Sequence, residues 1–257
     1  MNKSLTRDDP WHRLTQWTPA RIAIGRAGVS TPTTPLLRFN SDHALARDAI
    51  YTPMNMLRVQ QIFQQAGFET IAVTSRARNR PDYLRRPDLG RLLDSVSAEA
   101  LRRKEPLSQK VLTVVVADGL SALAPMTHAL PLLESLHEGL ADWILDPIVL
   151  ATEARVALGD EIGQIRGAEA VLVLIGERPG LKSPDSLGAY LTYWPQVGRM
   201  DSERNCVSNI RPQGLSYQQA AFRLVHLLNR ARVLGATGVT LKDESDHDAL
   251  STKSLAI

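Results

Sequence analysis

One run of residues, Val111–Ala117, constrains the fold most strongly, because it is apolar or β-branched throughout and does not alternate with polar residues. A continuous run of this kind is typical of a strand that helices cover on both faces, as in parallel sheets. Shorter apolar runs follow at 147–151 and 170–175, and helical periodicity lies between them, around 132–140 and 158–165. Strands that alternate with helices predict a three-layer α/β sandwich. We therefore predict a Rossmann-like α/β fold with a mostly parallel sheet.

The residues before this run predict a smaller, mainly helical part of the chain. Residues 36–50 are compatible with a helix, and Thr52-Pro53 is typical of an N-cap followed by proline at the first position of a second helix. Gly67 is suited to end that helix in a left-handed conformation. A short strand at 68–74 and one or two helices within 87–103 complete this part.

The charged, proline-containing segment Lys104-Glu105-Pro106 is the predicted domain boundary. It separates a mainly helical region, 1–105, from an α/β domain, 106–242. The polar tail, 243–257, favours disorder.

Two more short strands are predicted in the α/β domain, at residues 155–158 and 238–241. Between them, Ser216 and Gln219 have the spacing of a capping box, in which each side chain satisfies a free backbone N–H at the start of a helix. Gly235 is suited to end that helix.

Composition narrows the possible functions. The 30 basic and 27 acidic residues are interspersed, and no zinc-finger or RNA-recognition spacing supports nucleic-acid binding. No apolar run approaches the roughly 20 residues that cross a bilayer, and residues 1–10 lack the apolar core of a secretory signal. The single cysteine, Cys206, excludes an internal disulfide and fits a reducing cytosol, which predicts a cytoplasmic protein.

Motifs of the common enzyme classes are absent from the sequence. It contains no G-x-G-x-x-G, no G-x-x-x-x-G-K-[ST] and no H-E-x-x-H, and its histidines show no metal-ligand spacing. Ligands of open α/β sheets bind outside the carboxyl ends of the strands. That rule directs attention to Asp118-Gly119, to the residues after Ala151 and to residues 176–180.

Five blocks of sequence carry a more specific signal. They are Y-L-R-R-P-D-L-G-R (83–91), A-D-G-L-S (117–121), R-V-A-L-G-D-E-I-G (155–163), L-I-G-E-R-P-G-L (174–181) and N-C-V-S-N-I (205–210). Their order and spacing resemble the light chain of ethanolamine ammonia-lyase, and the resemblance extends from about Arg21 to Lys242.

The resemblance implies a carbon–nitrogen lyase that converts ethanolamine to acetaldehyde and ammonia with adenosylcobalamin. It implies that a large subunit carries the substrate pocket and that the small subunit completes the cobalamin site. It also implies a hetero-oligomer of six large and six small subunits, in which this chain alone is inactive. Neither a nucleic acid nor a membrane is expected as a partner.

Three positions match cofactor contacts of the family: Val156, through its backbone, Glu177 and Cys206. No catalytic residue and no metal ligand is expected in this chain. The chemistry is reasonable, because the amide side chains of the corrin both donate and accept hydrogen bonds, so a carboxylate or a backbone N–H can bind them.

Each of these residues also has a purely structural interpretation. Val156 could fill a strand, Glu177 could pair with the adjacent Arg178 on the surface, and Cys206 could be a small buried hydrophobe. Asp160 could be a helix N-cap or, like Arg155, a partner of the cofactor contacts. The arginines of 76–91 could form a solvated face or a subunit interface, and Trp11 and Trp17 are candidate interface anchors.

Two further expectations concern the cofactor and the location. Base-off cobalamin enzymes supply the lower axial histidine from a D-x-H-x-x-G loop, which this sequence lacks, so the cofactor is expected to be base-on. Some family members begin with a long extension that directs them to a bacterial microcompartment, whereas only a short segment precedes the shared region here.

The alternative functions are a non-catalytic α/β ligand-binding or regulatory module and a basic nucleic-acid binder.

Overall fold

The computed structural model describes residues 6–18, 20–103 and 110–245. The strands within these residues are β1 (Thr6–Arg7), β2 (Arg26–Ala27), β3 (Thr70–Thr74), β4 (Val111–Ala117), β5 (Ile144–Leu145), β6 (Ile148–Thr152), β7 (Ala170–Gly176), β8 (Leu187–Tyr193) and β9 (Asn205–Ile210). The α-helices are α1 (Thr33–Tyr51), α2 (Met56–Gln65), α3 (Arg80–Arg85), α4 (Ser95–Arg102), α5 (Leu123–Leu136), α6 (Leu158–Arg166) and α7 (Tyr217–Leu234). Short 3-10 helices cover Pro10–Gln16, Leu89–Arg91, His137–Leu140, Asp201–Glu203 and Gly238–Thr240.

A mixed, mostly parallel sheet forms the centre of the fold. Its strands lie in the order β3-β6-β4-β7-β8-β9, with β5 beside the start of β4. The first four strands of this order are parallel to one another, whereas β8 and β9 are antiparallel to their neighbours. The α/β class and the mostly parallel sheet are therefore confirmed. The short strands β1 and β2 form a separate antiparallel pair.

Helices pack on both faces of this sheet, which explains the continuous apolar run of β4. Leu112, Val114 and Val116 share a buried cluster with side chains of α2, α5 and α7. Val115 and Ala117 point to the other face and pack with α4 and α6. Each fully buried Val or Leu side chain contributes roughly 1.5–3 kcal/mol, so β4 anchors both layers.

Most predicted elements exist, with shifted ends. The helix at 36–50 is α1, the strand at 68–74 is β3, and the runs at 147–151 and 170–175 are β6 and β7. Within 87–103 lie α4 and one 3-10 turn. The capping box at Ser216 is present, and both glycines expected to end helices, Gly67 and Gly235, have a left-handed φ.

Three predictions of local structure are wrong. Thr52 ends α1, and the side chain of Asn55 caps α2 instead, by accepting a hydrogen bond from the Arg58 N–H. Residues 155–157 form a turn that leads into α6 and not a strand. Residues 238–240 form a 3-10 turn, because Gly238 has a left-handed φ.

The predicted boundary at Lys104-Glu105-Pro106 lies outside the described residues, as do residues 246–257 of the predicted tail. The region before this boundary contains α1 to α4, and its strand β3 pairs with β6 in the central sheet. Among the described residues, no helix is both long and apolar enough to cross a membrane.

Candidate functional site

An open cavity of about 430 Å³ lies at the carboxyl edge of the parallel strands. After β4 the chain turns to α5 on one face of the sheet, and after β6 it turns to α6 on the other face. Adjacent strands whose connections diverge in this way leave a crevice between them. The residues that line it include Tyr83, Gly119, Arg155, Val156, Gly176, Glu177 and Tyr190. The three segments predicted from the sequence therefore meet in one cavity.

The floor of this cavity is a close contact between two loops. Gly119 has a φ of +56°, and a Cβ atom there would collide with the carbonyl oxygen of Gly176. A Cβ atom on Gly176 would in turn collide with the carbonyl oxygen of Ser121. The Leu120 N–H donates to the Gly176 carbonyl over 2.9 Å, so the loops after β4 and β7 are joined backbone to backbone.

Glu177 follows β7 and is held by Ser186, which directly precedes β8, and by Asn209 of β9. Its carboxylate accepts hydrogen bonds from the Ser186 hydroxyl and from the Asn209 N–H, the latter over 3.2 Å. Its own N–H donates to the Ser186 carbonyl. Within the described residues no ion pair joins Glu177 to Arg178, so the surface-pair interpretation is wrong. The half-buried carboxylate is fixed at the cavity wall.

Val156 lies in the turn between β6 and α6, half-buried against the core. Its carbonyl accepts the Gly159 N–H, whereas its own N–H has no acceptor within the described residues. An unpaired N–H at a cavity wall is available to a ligand oxygen. The interpretation of Val156 as a strand residue is wrong, because this segment is a turn.

Cys206 does not line the cavity but contacts a residue that does. It pairs with Tyr190 across β8 and β9. The residue is exposed, so the interpretation as a small buried hydrophobe is wrong. The pKa of the thiol is nevertheless raised, chiefly because surrounding protein atoms displace water from the thiolate and also because Glu177 is negatively charged. The thiol is therefore protonated at neutral pH.

Tyr83 and Arg155 line another wall of the cavity, and Arg80 packs on Tyr83 without lining the cavity itself. Tyr83 is fully buried, its hydroxyl donates to the Ala154 carbonyl over 3.0 Å, and the guanidinium groups of Arg80 and Arg155 lie 4.7 and 4.3 Å from its ring centroid. The Arg155 N–H donates to the Gly90 carbonyl, and a Cβ atom on Gly90 would lie only 2.9 Å from the Arg155 side chain. The block 83–91 thus packs against the block that begins at Arg155. Arg80 is buried, so it is not part of a solvated face.

Arg155 leaves one donor without a partner. The residue lines the cavity, and its buried Nε atom has no hydrogen-bond partner within the described residues. The sequence suggested Arg155 only as a partner of the residues that contact the cofactor, and it did not indicate Tyr83 or Tyr190. The block 83–91 was a signal for Tyr83, whereas Tyr190 lies on β8, which was not predicted.

Asp160 has a structural role away from the cavity, and the N-cap interpretation is wrong. It lies in the first turn of α6, where its buried carboxylate binds both terminal nitrogens of Arg204. Arg204 also donates to Thr192 of β8, so this pair joins α6 to the antiparallel edge of the sheet. The part of the chain that the structure describes contains no cluster of metal-binding side chains.

Comparison with known proteins matches this chain over nearly its whole length. A family model described as the ethanolamine ammonia-lyase light chain covers residues 8–242. The chain belongs to this family.

Curated relatives agree with the assignment. An ethanolamine ammonia-lyase small subunit from Azotobacter vinelandii is 49% identical over 249 residues, which are 95% of this chain and 92% of the relative. The small subunit from Xanthomonas campestris pv. campestris (strain B100) is 50% identical over 251 residues, 95% and 91% of the two chains. The one from Pseudomonas aeruginosa (strain LESB58) is 49% identical over 247 residues, 95% and 90%.

Proposed function

We propose that this chain is the small subunit of an ethanolamine ammonia-lyase and that its cavity at the carboxyl edge of the sheet forms one wall of the adenosylcobalamin site. Membership of the light chain family carries the proposal. The cavity, which Val156 and Glu177 both line, supports the position of the site. In this view the Rossmann-like arrangement serves to bring the three loops together.

The chemistry of the cavity wall fits a ligand that carries amide side chains. The carboxylate of Glu177 accepts hydrogen bonds, whereas the Val156 N–H and the buried Arg155 Nε are donors without a partner in the described residues. Amides present both donors and acceptors, so they satisfy both kinds of group. Burying unpaired donors costs free energy, which a bound ligand would recover.

When bound, adenosylcobalamin supplies the radical chemistry, and the protein supplies position and electrostatics. Glu177 would orient the ligand through its amides, Val156 and Arg155 would bind ligand oxygens, and Tyr190, with Cys206 beside it on the next strand, would form part of the wall. The acid–base and substrate-binding groups belong to the large subunit in this proposal. The base-on cofactor, the assembly of six large and six small subunits and the cytoplasmic location stay predictions.

Co-expression with a large subunit tests this function. The purified complex should release acetaldehyde and ammonia from ethanolamine only when adenosylcobalamin is added. The small subunit alone should release none, because in this proposal the acid–base and substrate-binding groups belong to the large subunit. Acetaldehyde production by the pure small subunit, or a complex whose activity is indifferent to the cofactor, would contradict the proposal.

A further inference from the structure

Asp118, the residue directly after β4, uses both carboxylate oxygens on the loop that follows β6. Its Oδ2 accepts the Glu153 N–H over 2.8 Å, and its Oδ1 accepts the Ala154 N–H over 3.0 Å. The side chain is 2% exposed. These bonds cross from one parallel strand to its neighbour and end two residues before Val156.

The loop that Asp118 holds has a conformation that needs support. Glu153 has a φ of +52°, in the left-handed region, which is strained for a residue that carries a side chain. Arg80 adds a second restraint, since its Nη1 lies 3.2 Å from the Glu153 carboxylate and 3.5 Å from that of Asp118. The turn is therefore fixed from two other elements, β4 and α3.

We propose that Asp118 is a positioning residue, which sets the 153–156 turn so that Arg155 and Val156 present their free donors to the cofactor. The inference rests on the proposed function and adds a residue that does not line the cavity itself. Asp118 acts through the backbone that it binds. Its loss should weaken cofactor binding more than it alters chemistry, because the substrate pocket is assigned to the other subunit.

The chain offers a matched control in Asp146. This carboxylate is equally buried, at 1% exposed, and it binds Arg166 and Thr113. It lies at the amino edge of the sheet, just before β6, and so at the opposite end from the cavity. A substitution there removes a buried carboxylate without touching the proposed site.

The experiment compares Asp118→Asn with Asp146→Asn in the complex with the large subunit. Asparagine keeps the shape but places an amide NH₂ against one of the two loop N–H groups. The dissociation constant for adenosylcobalamin, followed by its visible spectrum, should rise about ten- to a hundredfold in Asp118→Asn. With saturating cofactor, kcat should stay near the wild-type value. Asp146→Asn should lower the melting temperature and leave cofactor affinity unchanged.

A second variant separates positioning from general stability. Glycine adopts a positive φ without strain. Asp118→Asn should therefore reduce cofactor affinity less in a Glu153→Gly background, which lacks the Arg80 contact in both members of the comparison, than in the wild-type background. If Asp118 only stabilises the core, the loss should be the same in both backgrounds. Equal cofactor affinity in wild type and Asp118→Asn, or equal losses in Asp118→Asn and Asp146→Asn, would overturn the inference. A wild-type complex that binds no adenosylcobalamin would instead refute the proposed function.

The pH dependence of cofactor affinity tests the same inference without a variant, and it can be measured even if Asp118→Asn does not assemble with the large subunit. Burial raises the pKa of Asp118 to about 6, against the hydrogen bonds from Ala154 and Glu153 and the charge of Arg80, which lower it. Protonation removes one acceptor, so cofactor affinity should fall as the pH drops through about 6. Because the folded pKa lies above the unfolded value, the same protonation increases the stability contributed by this group. Affinity that stays flat from pH 7 to 5 would contradict the inference.

Discussion

At the scale of single residues, Glu177 and Cys206 show how position decides chemical character. Glu177 is fixed by a hydroxyl and a backbone N–H from other strands, so little freedom is lost when it binds a ligand. Cys206 is exposed yet carries a protonated thiol. The sequence predicted that Val156 and Glu177 lie near the same edge, because the carboxyl ends of parallel strands meet. It did not predict the hydrogen bonds of the Glu177 carboxylate, which come from Ser186 and Asn209, farther along the chain.

Glu177→Ala should weaken adenosylcobalamin binding to the complex about ten- to a hundredfold, because charge-assisted hydrogen bonds are worth roughly 1.5–3 kcal/mol. Glu177→Gln should fall between alanine and wild type. Spectroscopic titration measures the affinity, and sedimentation checks that assembly persists. Glu138→Ala, which removes an exposed acid away from the cavity, is the control. Wild-type affinity in an assembled Glu177→Ala complex would remove this residue from the site.

Cys206→Ser should keep most of the ethanolamine deamination activity. The serine hydroxyl can take the place of the thiol beside Tyr190. The thiol is protonated, and because only a thiolate is an effective nucleophile, we do not expect Cys206 to act as one. Steady-state assays at saturating cofactor measure the effect. A loss of several orders of magnitude with normal cofactor binding would show that the thiol takes part in the chemistry.

At the scale of elements, burial on both faces made β4 and β7 predictable, whereas β8 and β9 were missed. These two strands are antiparallel to their neighbours, β8 contains Gly188, and β9 has a polar sequence in which only Val207 and Ile210 are buried. The turn at 155–157 was mistaken for a strand because it contains apolar residues, whereas the long-range bonds from Asp118 hold the two residues directly before it, Glu153 and Ala154. Periodicity detects a hydrophobic face but not a long-range hydrogen bond.

The start of α2 gives a test at this scale. Asn55→Ala should lower the free energy of unfolding by about 0.5–2 kcal/mol, because the side chain caps the helix. Thr52→Ala, at the position that sequence alone favours, should cost less, since the Thr52 hydroxyl bonds only to Asp48 in the last turn of α1. Urea unfolding of both variants measures the difference. A larger loss from Thr52→Ala would mean that the cap is assigned to the wrong residue.

At the scale of the whole molecule, the N-terminal part exposes large apolar side chains, including Trp11 at 61% and Trp17 at 80%. Tryptophan is enriched among the residues that dominate binding energy at protein interfaces. Trp17→Ala should therefore weaken association with the large subunit and leave the secondary structure unchanged. Sedimentation and circular dichroism measure the two effects. Val239→Ala, at a residue 79% exposed near the other end of the chain, is the comparison; equal assembly of both variants would place the interface elsewhere.

The contact between Gly119 and Gly176 limits how this cavity can evolve. At each of these positions an added methyl group meets a main-chain oxygen, which no substitution of a neighbouring side chain can move away. A library that samples all amino acids should therefore accept only glycine at both positions, whatever the background sequence. Substitutions that adapt the cavity to another ligand are then confined to the side chains around this backbone contact.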